Sequence, residues 1–293
     1  MIPFYIGWVF ASRELFPPYI LDILTSNNPS SASFDQFMLF GLGMFVMGPF
    51  LGGSTLLYND YWDSEIDKTS KRKAAFPLPM GLVSSKSVLY TSIVLMILAL
   101  FFSYFISLLF MMLVGLALAL SICYSTPPIR LKNRAGLDVL TNAIGSGLLC
   151  SIAGWIVVKP FFEYPILWGF TSIFGVCSIY IPTTIIDQPN DKRKEVNTFA
   201  VRLGQKNAFY AGVFSIAMAN ILIVYMGLTN YLITMEFLIV AWPVALAQPI
   251  AYALILRKLT FKSVYRTIMA LAGLLTVGNA LMLTYYVGLW SIY

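Results

Sequence analysis

The chain has 293 residues, of which 59% are hydrophobic and only 11% charged, with a net charge of +6 and no histidine. Soluble domains carry about 25% charged residues, so the composition excludes a soluble globular fold and specifies an integral membrane protein. The positive charge does not point to nucleic acid, because the basic residues fall in short loops between apolar runs.

A helix needs about 20 apolar residues to cross the hydrocarbon core of a bilayer. In chain order, helical spans are expected at 37–58, 87–107, 108–126, 138–158, 164–186, 207–227, 236–256 and 267–290. No charge lies between Lys86 and Arg130, a stretch long enough for two crossings that turn near Ser107. Residues 1–24 hold one more span, which is irregular: Met1 to Ala11 is apolar, and then Arg13-Glu14 and Pro17-Pro18 interrupt it. The chain is read as beginning inside this helix, whose outer end lies near Ser12. No separate apolar leader with a cleavage site precedes it, so no signal peptide is expected. The expectation is an all-α membrane protein of nine helices, with residues 1–293 forming one domain. Cys123, Cys150 and Cys177 are too widely spaced for a disulfide framework or a metal site and read as small packing residues.

The basic residues set the orientation. Lys68, Lys71, Arg72, Lys73 and Lys86 lie between the second and third spans, and Arg130, Lys132 and Arg134 between the fourth and fifth. Lys192, Arg193, Lys194, Arg202 and Lys206 lie between the sixth and seventh, and Arg257, Lys258, Lys262 and Arg266 between the eighth and ninth. Seventeen of the nineteen basic residues therefore share one side, leaving Arg13 and Lys159 on the other. The positive-inside rule makes the crowded side cytoplasmic, with the N-terminus cytoplasmic and the C-terminus outside.

Two acidic clusters fall on that same face. Asn59-Asp60-Tyr61-Trp62-Asp63-Ser64-Glu65-Ile66-Asp67 ends the second span, and Asp187-Gln188-Pro189-Asn190-Asp191 ends the sixth. Together they hold six of the thirteen carboxylates. On a helix Asp60, Asp63 and Asp67 fall within about 60° of one another, and Asp187 and Asp191 share a face. Carboxylates gathered this way repel each other unless a cation neutralises them. Oxygen donors without His or Cys suit Mg²⁺ or Mn²⁺ rather than zinc. Two such clusters suit two or more ions with a diphosphate between them. Solvated loop acids balancing nearby lysines are the competing explanation. Asp138 and Asn142, one turn apart at the start of the fifth span, are both placed facing the cavity, with an interhelical hydrogen bond as the competing role.

Asn59-Asp60-x-x-Asp63-x-x-x-Asp67 resembles the first motif of the UbiA superfamily of intramembrane prenyltransferases. Asp187-x-x-x-Asp191, followed by Thr198 and Val201-Arg202-Leu203-Gly204, resembles its second motif. Tyr124-Ser125-Thr126-Pro127-Pro128-Ile129-Arg130-Leu131-Lys132 is similar to the family's Tyr- and Lys-bearing segment between them. The resemblance implies nine helices around a central cavity with its active site on the cytoplasmic side. It implies that Asn59, Asp60, Asp63 and Asp67 hold one Mg²⁺ (Mn²⁺ as substitute), and that Asp187 and Asp191 hold another. The ions would grip the diphosphate of an isoprenyl donor, in the geranyl to geranylgeranyl range, as it leaves. Lys132 and Arg130 would oppose the departing charge, with Lys192, Arg72 and Lys73 as further candidates. Tyr124 would face the allylic cation. The acceptor would be lipophilic, either a geranylgeranylglyceryl phosphate or an aromatic or quinone precursor, and membrane lipid is the only other partner implied. No obligate protein partner is inferred.

The chain departs from the family pattern in Phe76-Pro77-Leu78-Pro79-Met80-Gly81, where an arginine is missing, and at Glu195 and Ala200, where glycine and proline are usual. A transporter is the rival from another class. Transporter sites lie near the bilayer midplane on broken helices, whereas both acidic clusters here sit at span ends. A non-catalytic isoprenoid-lipid-binding protein is the second rival.

Overall fold

The computed structural model describes residues 1–24, 30–68, 75–257, 260–286 and 288. It is all helical, and among the described residues eight helices are long and apolar enough to cross a membrane. Length and hydropathy at this number of helices make the protein an integral membrane protein.

Two short helices come first, α1 (Ile2–Ser12) and α2 (Pro18–Leu24). α3 (Ser31–Phe45) continues through a π-helical segment (Val46–Gly52) into α4 (Gly53–Asp67). Pro49 lies inside that segment, where its missing N–H and its ring disturb the regular α ladder. α5 (Ser85–Tyr104) and α6 (Leu108–Ser125) follow, separated by Ser107, whose hydroxyl caps Phe110 N–H at 3.0 Å. α7 (Leu137–Asn142) likewise runs through a π-helical segment (Ala143–Leu149) into α8 (Cys150–Ile156). α9 (Ile166–Arg193), α10 (Phe199–Leu228), α11 (Met235–Leu256) and α12 (Phe261–Tyr286) complete the bundle. Gly204, at φ 78°, breaks α10 after its first turn.

Eight of the nine expected spans correspond to these long helices. The N-terminal one differs: at 11 residues, α1 extends about 16 Å, roughly half the hydrocarbon thickness. It stops at Arg13, which adopts a left-handed conformation at φ 61°. α1 is also far more buried than its irregular sequence suggests. Phe4, Val9 and Phe10 are fully buried and Trp8 almost so, and they form the largest apolar core with residues of α6 and α8.

Backbone contact between α1 and α8 explains this burial. A Cβ at Gly154 would lie 1.9 Å from the Phe4 carbonyl oxygen, and one at Gly7 would lie 2.0 Å from that of Ser151. Only glycine permits this approach, and small residues at such crossings hold membrane helices together by close packing. Gly154→Val is therefore expected to destabilise the detergent-solubilised protein by about 1–3 kcal/mol or more. Gly273→Ala, whose Cβ meets nothing within 4 Å, leaves stability unchanged or raises it. Paired thermal melts of the two variants check this.

Candidate active site

Four helical rods, α3–α4, α6, α7–α8 and α9, wall a cavity of about 490 Å³ among the described residues. Its apolar end is lined by Met47, Leu51 and Leu56, and its polar end by the two acidic clusters. Both π-helical segments contribute to the wall, through Leu51 and Gly52 on one side and Gly145 and Ser146 on the other.

On α4 the i, i+4 spacing turns Asp63 and Asp67 toward the cavity. The loop after α6 meets them. Arg130 takes a left-handed conformation at φ 35°, and Leu131–Asn133 make a single 3₁₀ turn. This turn drives Lys132 inward until only 9% of it is exposed. Its Nζ donates to Asp63 Oδ1 at 2.7 Å and to Asn59 Oδ1 at 2.8 Å. Arg130 Nη2 donates to the same Asp63 oxygen at 3.1 Å, while Arg130 Nε is buried without a hydrogen-bond partner. Ser125 Oγ also donates to Asn59 Oδ1, at 3.2 Å.

α9 carries the second cluster, with Asp187 and Asp191 one turn apart on the cavity wall. Thr198 Oγ1 donates to Asp191 Oδ2 at 3.0 Å. Midway down the wall the hydroxyls of Tyr124 and Tyr180 share a hydrogen bond of 2.6 Å. Asn142 lines the cavity too, with its Nδ2 donating to Asp138 O at 2.8 Å.

Asn59, Asp63, Asp67, Tyr124, Arg130, Lys132, Asn142, Asp187 and Asp191 are thus brought to one cavity. Asp60 and Lys192 are not among its lining residues. One position turns Lys192 about 100° from Asp191, whereas Asp60 is only about 20° in projection from Asp67, so helix angle alone does not separate Asp60 from the lining. Arg72 and Lys73 lie outside the described residues. Ser125 and Thr198 stand in the sequence motifs without an assigned role, and no motif includes Tyr180. The signals available were a serine one position past Tyr124 and a tyrosine seven positions before Asp187, and neither spacing reveals a contact across helices.

Charge is unevenly balanced here. Among the described residues the lining holds five aspartates, at positions 63, 67, 138, 187 and 191, against Arg130 and Lys132. No three Asp, Glu, Cys or His side chains among the described residues converge closely enough to hold a metal ion on their own. Mg²⁺ does not require three, because it is commonly bound by one or two carboxylates together with substrate phosphates. Two hard-oxygen pairs in one cavity fit that mode.

A model of the UbiA prenyltransferase family matches residues 1–273. The chain belongs to the UbiA prenyltransferase family. Among curated relatives, this UbiA protein is 30% identical over 161 residues to the digeranylgeranylglyceryl phosphate synthase of Methanosphaera stadtmanae, covering 55% of this chain and 57% of that one. It is 24% identical over 200 residues to the homogentisate phytyltransferase of Synechocystis sp., covering 65% and 63%. The chain therefore spans less than two thirds of the length of either relative. Its fold is similar to that of a UbiA homolog from Archaeoglobus fulgidus bound to DMAPP and Mg²⁺, with a TM-score of 0.72 at 22% identity over 100% of this chain and 94% of that one.

Proposed function

We propose that this protein transfers a prenyl group from an isoprenyl diphosphate, in the geranyl to geranylgeranyl range, to a lipophilic acceptor in a Mg²⁺-dependent reaction. The observation that carries the reading is the pair of aspartate clusters in one cavity, with Lys132 and Arg130 bonded to the first of them and apolar residues in the same lining. That combination matches the donor, a polyanion joined to a hydrocarbon tail. Asn59, Asp63 and Asp67 would hold one ion and Asp187 and Asp191 another, with Asp60 adjoining the first set. When bound, Mg²⁺ supplies Lewis-acid stabilisation of the leaving diphosphate.

The chain's own groups do the rest. Lys132 and Arg130 hold the diphosphate as the allylic C1–O bond breaks and the electron pair leaves with the oxygen. The apolar wall excludes water from the cation that remains. The Tyr124 ring faces that cation, and the acceptor then bonds to C1 and loses a proton. Tyr124→Leu is expected to lower kcat about 5–30-fold, equivalent to ~1–2 kcal/mol of cation–π stabilisation, with Tyr124→Phe retaining most activity. Steady-state kinetics of the two variants decide this.

The acceptor class proposed is a geranylgeranylglyceryl phosphate, supported by the relative from Methanosphaera stadtmanae and by the unpartnered Arg130 Nε at the cavity wall. An aromatic or quinone precursor, the class suggested by the name of the Synechocystis relative, is the alternative outcome. Purified protein would be incubated with labelled geranylgeranyl diphosphate, Mg²⁺ and each acceptor. A prenylated glyceryl phosphate is expected, and an aromatic product redirects the acceptor assignment. No turnover of the donor with any acceptor overturns the reading.

We also propose that the active face is cytoplasmic, on the strength of the basic residues gathered there. In a protein lacking native cysteines, a cysteine at Lys192 should be labelled from the cytoplasmic side only and one at Lys159 from outside only. The reverse pattern inverts the topology.

A further inference from the structure

Asp138 is a cavity-wall carboxylate to which the reaction above gives no role. It is 2% exposed, and burying a carboxylate is costly unless its oxygens are hydrogen-bonded. Both of its oxygens are bonded to backbone donors. Oδ1 accepts from Gly136 N–H at 2.8 Å, and Oδ2 accepts from Phe199 N–H at 2.8 Å, 61 positions away in sequence.

These two donors belong to the two connections that hold the aspartate clusters. Gly136 ends the loop whose Lys132 and Arg130 bind Asp63. Phe199 begins α10 and directly follows Thr198, whose hydroxyl binds Asp191. A parallel backbone bridge between Arg134 and Asn197 joins the same two connections.

Thr198 stands at the N-cap of α10 and makes no side-chain cap to the first turn; its hydroxyl donates to Asp191. The first N–H of α10, that of Phe199, is taken by the carboxylate of Asp138, which a helix N-terminus also favours electrostatically.

We infer that Asp138 is a positioning residue: by capping α10 from α7 it ties the connection that carries Lys132 to the one that carries Thr198 and fixes the spacing between the two halves of the diphosphate site. The inference rests on the proposed magnesium–diphosphate reading of the cavity. A diphosphate and its ions must meet both clusters at once, and a misplacement of about 1 Å in such a site costs on the order of 100-fold. Asp138 acts on that spacing without touching the substrate.

The test measures binding rather than turnover. Labelled geranylgeranyl diphosphate is titrated onto the purified full chain across a range of Mg²⁺ concentrations. Asp138→Asn, which preserves shape and loses one of the two acceptors, should raise the Mg²⁺ needed for half-maximal donor binding about 10–100-fold, the usual loss when a group supporting a metal ligand is removed. Phe199→Pro deletes the N–H that Asp138 Oδ2 accepts, together with the ring, at a first-turn position where proline is compatible with the helix. Thr198 already has the extended backbone, φ −79° and ψ 169°, that a following proline favours. The same shift is expected there, beyond any seen in Phe199→Ala, which removes the ring and keeps the N–H. A purely structural role predicts lower melting temperatures with unchanged Mg²⁺ dependence in the folded fraction. If the wild type requires Mg²⁺ and the variants are unshifted, the positioning role is wrong and the proposed function stands. Donor binding by the wild type that ignores Mg²⁺ overturns both.

Discussion

Asp63→Asn and Asp187→Asn should each reduce prenyl transfer by about 10²–10³-fold, a loss of ~3–4 kcal/mol of transition-state stabilisation. The two carboxylates sit on different helices, α4 and α9, and line the same cavity. If one metal-bound diphosphate needs both, neither cluster alone can stabilise the leaving group. Asp63→Asn should also lose stability. Asp63 accepts from both Lys132 and Arg130, whose side chains are 10% and 21% exposed. Neutralising Asp63 removes the negative charge that these two shielded cations share. Asp63→Asn is therefore expected to melt earlier than the wild type, with the activity loss persisting per folded molecule. Labelled-product assays together with thermal melts check both parts, and full activity in either variant would sink the two-cluster assignment.

Lys132→Met should be as damaging to kcat/KM, again about 10²–10³-fold, with an opposite effect on metal binding. Lys132 Nζ occupies Asn59 Oδ1 and Asp63 Oδ1, two of the oxygens proposed to bind an ion. In the proposed reading the lysine competes with Mg²⁺ for these oxygens when no diphosphate is bound. A bound diphosphate would offer the ammonium a stronger anionic partner and would make the oxygens available. Deleting the ammonium removes this competition. Calorimetric titration without diphosphate is expected to show tighter Mg²⁺ binding in Lys132→Met than in wild type, alongside weaker binding of the donor. Arginine is a poor replacement, since its planar fork must enter a site shaped around a compact ammonium. Wild-type kcat/KM in Lys132→Met would remove Lys132 from the proposed machinery.

Much of this architecture was legible in the residue order. Hydropathy located all eight long helices, because crossing a bilayer demands a minimum apolar length whatever the neighbours are, although the helices of the second, sixth, seventh and ninth spans run six to nine residues beyond the expected limits at one end or both. The i, i+4 spacing of Asp63 and Asp67, and of Asp187 and Asp191, placed each pair on one face by helix geometry alone. Asp60 shows the limit of that argument. It lies within 60° of its neighbours in projection, yet the cavity lining does not include it. α1 ends at Ser12, where the sequence places its outer end, but its burial was not legible: its apolar sequence resembles lipid-facing sequence, while its burial comes from glycine contacts with α8.

The sequence by itself determined a membrane protein, its long spans, two acidic faces and a hard-oxygen donor set, all of which depend on local spacing and composition. Only the tertiary structure decided which groups meet. Lys132 reaches Asn59 across 73 positions and Asp63 across 69, and Asp138 reaches Phe199 across 61. Such pairings follow from how α4, α6, α7 and α9 pack, and helix packing depends on side-chain shape summed over whole surfaces. The same physics makes α1 a short buried helix and brings the Thr198 hydroxyl to Asp191.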